Sequence, residues 1–449
     1  MRRWGRIAPL LAATVLAGCQ SYSRDPLRSP ADALAMPDAA ALSTDAAKID
    51  RPYLTPQPID LSQPLTPNAL AIIAVIENPD LKALRARNGV DDAQAFAARL
   101  LPDPSIQAGV DKLLSGADEF NGFAGQIGVD LMQIRDARVI RQAGEAKKQQ
   151  VRLDLAWAEW QTAGQARLLG VRILALEDQL AIARVSARSA ADQLDAALRA
   201  AGRGDIAGAE VDSRRQAALD SADKVQAAES ALTAARGELN RQLGLPPEVR
   251  LRLAPPPPAA APPPADALVR QALDRRLDLA ALRAGYDSAE AELHKAILDQ
   301  FPSLSLTMAY TRDTADNRTF GPQIGFTLPL WNRNRGGIAI ARATREQLKS
   351  EYDARLFQTR ADIDAAVSGI ATVRAQREAL LAALPRLEQY AAATERAARR
   401  GDLAPATAAA ATQAVRDRRL TLLQLDQQVA EQMIALELLT GSLSEGWTK

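Results

Sequence analysis

The sequence predicts a mainly α-helical protein with a small β part, built as two tandem copies of one structural unit. Three observations predict it. Short motifs recur about 197 positions apart, a Pro-free helical segment runs for roughly sixty residues after Ala137, and four segments of about ten residues alternate apolar and polar side chains. Only 4% of the 449 residues are aromatic, which is typical of long helices rather than of a globular core.

The repeat is clearest at a strand-to-helix junction and at two Gly-Asp turns. Gln323–Leu328 (QIGFTL) follows Gln126–Leu131 (QIGVDL) by 197 positions, and Gly401–Ala404 follows Gly204–Ala207 by the same number. Further matches, offset by 197 or 198, are Asp80–Ala86 with Asp278–Ala284, Pro104–Ile106 with Pro302–Leu304, and Gln242–Gly244 with Leu439–Gly441. An offset this constant indicates one unit used twice.

The N-terminal residues 1–18 have the pattern of a bacterial signal peptide. Three arginines precede the apolar run Ile7–Ala17, which is too short to span a bilayer. The run ends in Leu16-Ala-Gly-Cys19, which resembles a lipobox, so we expect lipid, palmitate included, on Cys19. Gln20 follows this cysteine, and the resemblance to enterobacterial lipoproteins then implies sorting to the outer membrane. Residues 19–65 lack periodicity and are predicted to form a lipidated, extended segment along the surface.

Residues 66–250 form the first repeat. A helix is predicted from Thr66 to Leu101, with a break near Asn78-Pro79. Two alternating strands are predicted at about 104–114 and 122–133. A helical hairpin follows at about 137–243, with a seam of Leu and small Ala residues typical of a coiled coil.

A Pro-rich linker, residues 251–265, separates this unit from the second repeat, residues 266–441. We predict one helix from about Asp266 to Gln300, strands at about 302–311 and 320–331, and a hairpin at about 337–439. Residues 442–449 form a C-terminal tail.

The four strands have the length and alternation of transmembrane β-strands, apolar outward and polar inward. A four-stranded sheet alone would expose its edges to lipid, and the smallest closed barrels need about eight strands. Three chains supply twelve strands, enough to leave a lumen. The alternative is a soluble hairpin that caps a coiled coil.

The order helix, strand, strand, long helical hairpin, used twice from Thr66 to Gly441, resembles the TolC-type outer-membrane efflux channels. The lipobox adds the lipoprotein branch, and Leu328–Gly337 (LPLWNRNRGG) is similar to the junction of the CzcC-like cation-efflux branch. The resemblance implies a homotrimer: a twelve-stranded barrel in the outer membrane of a Gram-negative bacterium and an α-helical tunnel in the periplasm. It also implies a periplasmic adaptor (membrane fusion) protein and an inner-membrane pump, commonly of the RND class.

The hairpin tips are the candidate docking sites for the adaptor, by this resemblance. They comprise Gly202, Arg203, Gly204, Asp205 and Ile206 in the first repeat, and Arg400, Gly401, Asp402 and Leu403 in the second. The glycines would permit a tight turn, and the two aspartates could cap the returning helices. The alternative is that these are turns with caps and nothing more.

The family often narrows its tunnel with acidic side chains about two turns beyond the tip. Here only the first hairpin supplies them, as Glu210 and Asp212, because the second has Pro405 and an Ala run. The alternative is that both are solvated surface acids.

No catalytic or metal site is predicted. His294 is the only His, and with one Cys and five Met no soft-metal site can be assembled in the chain. No basic stripe indicates nucleic acid. We therefore expect no enzymatic activity and no cofactor beyond the lipid on Cys19.

The sequence thus favours a passive exit duct in a tripartite efflux system, with heavy-metal cations as the expected substrates. Two alternatives keep the fold: a multidrug duct and a type I protein-secretion exit channel. A third is a periplasmic coiled-coil lipoprotein without a pore.

Overall fold

The computed structural model describes residues 22–100, 103–112, 114–118, 120–257, 260–444 and 447. The predicted signal peptide and Cys19 lie outside these residues. Residues 22–36 belong to a unit of their own, in which the Ser29 side chain caps the single-turn helix α1 (Pro30–Ala33). The second unit begins at Pro37 and contains both repeats.

The first repeat contains two strands and a long helical hairpin. Its elements are α3 (Pro67–Glu77), α4 (Pro79–Ala97), β1 (Ser105–Asp111), β2 (Gly122–Asp130), α5 (Leu131–Gly202) and α6 (Gly208–Gln242), and a short helix, α2 (Ala39–Ala47), precedes it. The second repeat has α7 (Ala265–Arg275), α8 (Leu277–Leu298), β3 (Ser303–Arg312), β4 (Arg318–Thr327), α9 (Arg335–Arg399) and α10 (Pro405–Thr440). The predicted mainly helical fold with a small sheet is confirmed. At about 1.5 Å per residue, the 72 residues of α5 extend for about 108 Å.

Both repeats bend their first helix at the same place. Asn78 separates α3 from α4, and its side chain donates to the Gln242 carbonyl at 2.9 Å. The equivalent Arg276 separates α7 from α8 and donates to the Leu439 carbonyl at 3.1 Å. The predicted continuous helix over residues 266–300 is therefore wrong: extended backbone at Arg276, with ψ of 120°, interrupts it.

The segment predicted to be extended, residues 19–65, contains a helix in its described part. Asp38 caps α2, and Leu42 and Ala46 on that helix are buried. They join a core with α3, α5 and α6, so burial of a small apolar face orders this segment although its sequence lacks periodicity. Among the described residues of the second repeat, the core cluster formed by α7, α9 and α10 is smaller.

The four strands form one antiparallel sheet in the order β1-β2-β3-β4. β2 pairs with β3 and so joins the two repeats, while β1 and β4 are the edges. β4 ends at Thr327 and not near residue 331 as predicted, since Pro329 follows and cannot donate to a ladder. β2 likewise ends before residue 133, because Asp130 caps α5 from its own side chain.

The repeats also pack on each other through their helices. α5 of the first repeat lies against both α8 and α10 of the second. Ser288 on α8 donates to the Ala143 carbonyl at 3.1 Å, and Trp160 on α5 donates to the Leu438 carbonyl at 3.4 Å. These contacts make the two repeats a single body.

Candidate functional site: the sheet and the hairpin tips

The sheet has one apolar and one polar face. The register places Ile127 opposite Ile106 and Met308, and Ile324 opposite Leu306, so the apolar rows of all four strands share a face. These side chains are largely exposed in the single chain, with Ile324 at 66% and Ile106 at 76%. An exposed apolar face of this size indicates a surface that meets lipid or another apolar partner.

The opposite face is concave and polar, with the carboxylates of Asp111 and Asp130 near the ends of its strands and a neutral cavity lining between them. It encloses a cavity of about 290 Å³ lined by Gln107, Gln126, Gln323, Ala124, Ala309 and Thr311 among others. Gln126 donates a hydrogen bond from its amide to the Gln107 side chain across neighbouring strands. Side-chain amides and hydroxyls can replace water around a passing solute without selecting its charge.

The junction that follows β4 is irregular and exposed. Arg333 and Asn334 both adopt a left-handed conformation with φ of 49°, and the Asn334 side chain donates to the Ala296 carbonyl at 2.8 Å. Trp331 beside them is 89% exposed. Aromatic side chains in such a position are typical of the boundary between a transmembrane barrel and water.

The two hairpin tips have the same geometry. Gly204 and Gly401 adopt φ of +78° and +82°, and no atom lies within 4 Å of the position that a Cβ would take. The predicted helix caps are wrong: Asp205 accepts from Arg203 Nε and Asp402 from Arg400 Nε, both at 2.8 Å. Each aspartate lies two residues before the N-cap residue of the returning helix, which is Ala207 in the first hairpin and Ala404 in the second.

The other tip residues are exposed or half-buried, so each tip presents a small, charge-balanced surface. Gly202, Arg203, Gly204, Arg400, Gly401 and the two aspartates are exposed, and Ile206 and Leu403 are half-buried. α6 and α10 begin after Ala207 and Ala404, neither of which supplies a side-chain cap. Docking at these tips stays a prediction.

The candidate constriction acids are exposed and paired. Glu210 accepts from Arg214 at 2.7 Å, and Asp212 from Arg215 at 2.6 Å. Arg214 also donates to Gln193 on α5 at 3.1 Å, which links the two helices of the hairpin. Any constriction built from these residues therefore carries ion pairs rather than bare carboxylates, and its existence stays a prediction.

Sequence reasoning missed a buried ion cluster in the first repeat. Glu159, with its side chain 2% exposed, is bound by Arg85 Nη2 at 2.7 Å and by Arg51 Nε at 2.5 Å. Burial raises the pKa of Glu159, but the two arginines outweigh burial and hold that pKa below its ordinary value. Arg51 and the neighbouring Tyr53, whose ring packs edge-on against Trp160, attach residues 51–53 to α5.

A second buried cluster lies at the bend between α7 and α8. Asp278 is bound by Arg276 at 2.7 Å and by Arg355 at 3.0 Å, and the Arg276 guanidinium stacks 5.0 Å from the Trp157 ring centroid. Burial alone would raise the pKa of Asp278. The two arginines lower this pKa by more than burial raises it, so it lies below its ordinary value. No sequence pattern marks either cluster, because the partners lie up to 108 positions apart.

The remaining candidates concern metals and membrane spans. His294 is exposed on α8. In the part of the chain that the structure describes, no three His, Cys, Asp or Glu side chains meet as metal ligands. Across those same ranges, none of the helices has both the length and the apolar character to cross a membrane. The expected lack of a cofactor and of a resident metal stays a prediction.

Comparison with known proteins agrees with this geometry. The model of the family described as outer membrane efflux protein matches residues 268–442, which is the second repeat. The cobalt-zinc-cadmium resistance protein CzcC of Cupriavidus metallidurans is 25% identical over 341 residues, or 74% of this chain and 79% of that protein. The predicted resemblance to outer-membrane efflux channels, with its cation-efflux branch, is confirmed.

Solved channels share the fold. The CmeC outer membrane channel of Campylobacter jejuni superposes with a TM-score of 0.72 at 15% identity, covering 84% of this chain and 85% of CmeC. CusC superposes with a TM-score of 0.68 at 16% identity, covering 88% of this chain and 98% of CusC. The chain therefore has the fold of these outer-membrane channels.

Proposed function

We propose that the chain is one of three identical subunits of an outer-membrane exit duct for divalent metal cations. The observation that carries the proposal is the sheet. Its apolar face is exposed, its concave face is polar around a neutral cavity lining, and both of its edges lack a partner within the described chain. Three such sheets, joined edge to edge, close a twelve-stranded barrel whose lipid face is apolar and whose lumen is hydrated.

In this duct the long hairpins α5–α6 and α9–α10 continue the barrel as a tunnel in the periplasm. A periplasmic adaptor docks at the tips around Gly204 and Gly401 and couples the tunnel to an inner-membrane pump, which we expect to be of the RND class. Lipid on Cys19 anchors each subunit to the outer membrane. The duct itself catalyses no reaction.

The name of the relative CzcC supports metal cations as the substrates. The neutral glutamines of the concave face fit this role, because they let a hydrated cation pass without chelating it. The alternatives of a multidrug duct and a protein-secretion exit channel use the same fold and are separated by experiment.

A strain that lacks the gene tests the proposal. We expect sensitivity to zinc, cobalt or cadmium that the wild-type gene restores, with little change for dyes, detergents and antibiotics. Gly401→Trp should fail to restore resistance, since its bulk covers the tip. Gly401→Ala is the matched control, with the same backbone strain and no bulk, and should restore most of it.

Sensitivity to organic compounds alone would make the protein a multidrug duct. Loss of a secreted protein from the medium, with no sensitivity in either panel, would make it a secretion channel. Either result would overturn the metal assignment.

A further inference from the structure

The segment between β4 and α9 differs from the equivalent segment of the first repeat. Residues 131–137 are the first helical residues of α5, and the side chain of Asp130 caps them by accepting from the Met132 amide at 2.9 Å. Their counterparts 328–334, offset by 197, form an irregular segment before α9. Pro329 lies in this segment and cannot donate to a strand ladder. The second repeat therefore has a loop where the first has the start of a helix.

The apolar surface of β4 continues into this loop. Phe326 near the end of β4 is 65% exposed, and Leu328 and Leu330 after it are 53% and 59% exposed. Trp331 follows and is 89% exposed, whereas its counterpart Ile134 is 49% exposed. An indole combines an apolar ring with a polar N–H and favours the boundary between acyl chains and lipid headgroups. The apolar face of the sheet thus leads along the chain to a residue suited to that boundary.

Two arginines follow the tryptophan at the second and fourth positions after it. Arg333 and Arg335 are exposed, and in the ranges that the structure describes neither guanidinium has a hydrogen bond or an acidic partner. At the position equivalent to Arg333, the first repeat has Asp136, which is buried and pairs with Arg135 at 2.7 Å. The charge of the first repeat is paired at this position, whereas that of the second is free to meet an external anion.

Contacts with α8 hold the loop in place. The Asn334 side chain donates to the Ala296 carbonyl at 2.8 Å. Asp299, at the same end of α8, is paired with Lys295 at 2.7 Å and therefore does not hold either arginine. The loop thus keeps two unpaired guanidiniums at the surface, close in sequence to the exposed indole.

We propose that Trp331, Arg333 and Arg335 form a binding site for anionic phospholipids of the periplasmic leaflet of the outer membrane. This inference rests on the proposed duct, because a barrel with its apolar face in lipid brings the end of β4 to the level of the headgroups. The indole lies at the edge of the acyl chains, and the guanidiniums bind the lipid phosphate through paired N–H donors. A zwitterionic lipid binds less well, since its own ammonium group offsets the attraction.

Quenching of tryptophan fluorescence by brominated lipids tests the inference, because bromine quenches only the indoles that it contacts. The full-length protein is reconstituted into vesicles of phosphatidylcholine and phosphatidylglycerol, with bromine on the acyl chains of one lipid at a time. The difference between wild type and Trp331→Phe isolates the signal of Trp331. At equal lipid fractions, we expect Trp331 to prefer phosphatidylglycerol by about fivefold, the effect of one arginine near an anionic surface.

Arg333→Gln combined with Arg335→Gln should abolish this preference and leave Trp331 quenched by both lipids. The matched control is Arg199→Gln combined with Arg396→Gln, which removes two exposed arginines near the tip ends of α5 and α9. The control should keep the preference of the wild type. Added salt should reduce the preference in wild type, since it screens exposed charges.

Light scattering of the same protein in detergent separates this inference from the proposed duct. Equal quenching of Trp331 by the two lipids, or a preference that survives the loss of Arg333 and Arg335, would overturn the inference and leave the duct standing. A particle of three chains in which neither lipid quenches Trp331 would do the same, since a neighbouring copy or water would then cover the indole. Particles that hold a single chain would overturn both.

Discussion

Trp160 and Phe357 occupy equivalent positions in the two repeats but have opposite environments. Trp160 is 3% exposed, covered by Tyr53 and by α10, while Phe357 is 79% exposed. Beside them, Glu159 is fixed by two arginines and its counterpart Leu356 has none of these partners. The comparison teaches that equivalent positions of one repeated unit can be buried in one copy of the unit and exposed in the other within a single chain.

The largest loss of stability should come from a substitution in the buried ion cluster of the first repeat that introduces the residue found at the equivalent position of the second repeat. Glu159→Leu leaves Arg51 and Arg85 without a counter-charge, and we expect a loss of about 3 kcal/mol, since both arginines reach solvent. The midpoint of thermal unfolding, followed by circular dichroism in detergent, reports it. Glu395→Gln removes an exposed pair on α9 and is the control. Equal midpoints for both variants would refute the role of the cluster.

The next largest effect should be a difference in stability between alanine variants of the two equivalent glycines that end α6 and α10. Gly244→Ala would place its Cβ 2.5 Å from the Glu77 carbonyl oxygen, on top of the cost of φ at +63°. Gly441→Ala at φ of +68° meets backbone no closer than 3.2 Å. Positive φ alone costs about 1–2 kcal/mol in each, and the backbone clash should roughly double that for Gly244. The same thermal unfolding experiment compares them, and an equal loss at both sites would contradict the structure.

Acid should weaken both buried clusters. The pKa values of Glu159 and Asp278 lie below their ordinary values, so their carboxylates stabilise the fold at neutral pH. This stabilisation falls as the pH drops from the ordinary carboxyl range, about 4, through the lower folded values. Unfolding midpoints measured from pH 7 to pH 3 should fall less steeply in Glu159→Gln than in wild type. An unchanged slope would exclude Glu159 as a contributor.

The smallest change in the free energy of unfolding is expected at the hairpin tips, where the two repeats have the same geometry. The pairs Arg203–Asp205 and Arg400–Asp402 are exposed on both sides. Asp205→Asn and Asp402→Asn should each change the free energy of unfolding by less than about 0.5 kcal/mol. A larger loss at one tip, measured by thermal unfolding, would show that the tips differ.

The sequence predicted those parts of the fold that depend on local signals. Helical periodicity over long stretches, Gly at the helix turns and alternating strand residues placed the hairpins and the sheet. The bend at Arg276 was missed because no Pro marks it, unlike the bend before Pro79. Residues 39–47 were missed because their helix depends on burial of Leu42 and Ala46 by distant elements.

The hairpin tips and the buried ion clusters show the same limit of prediction from the sequence. Gly204 and Gly401 were found from their spacing, but their neighbours Asp205 and Asp402 were expected to cap helices and pair with arginines instead. Glu159 gave no signal at all, because Arg51 and Arg85 reach it from separate segments. Local patterns predict elements, whereas contacts between distant segments need the structure.

The number of chains in the detergent-solubilised particle tests the central claim most directly. Light scattering with the protein mass separated from that of detergent gives this number for the wild-type chain. The account predicts three copies, whose sheets join at the edge strands β1 and β4 to close the barrel. A particle of one chain, or of two, would leave these edges open and contradict it.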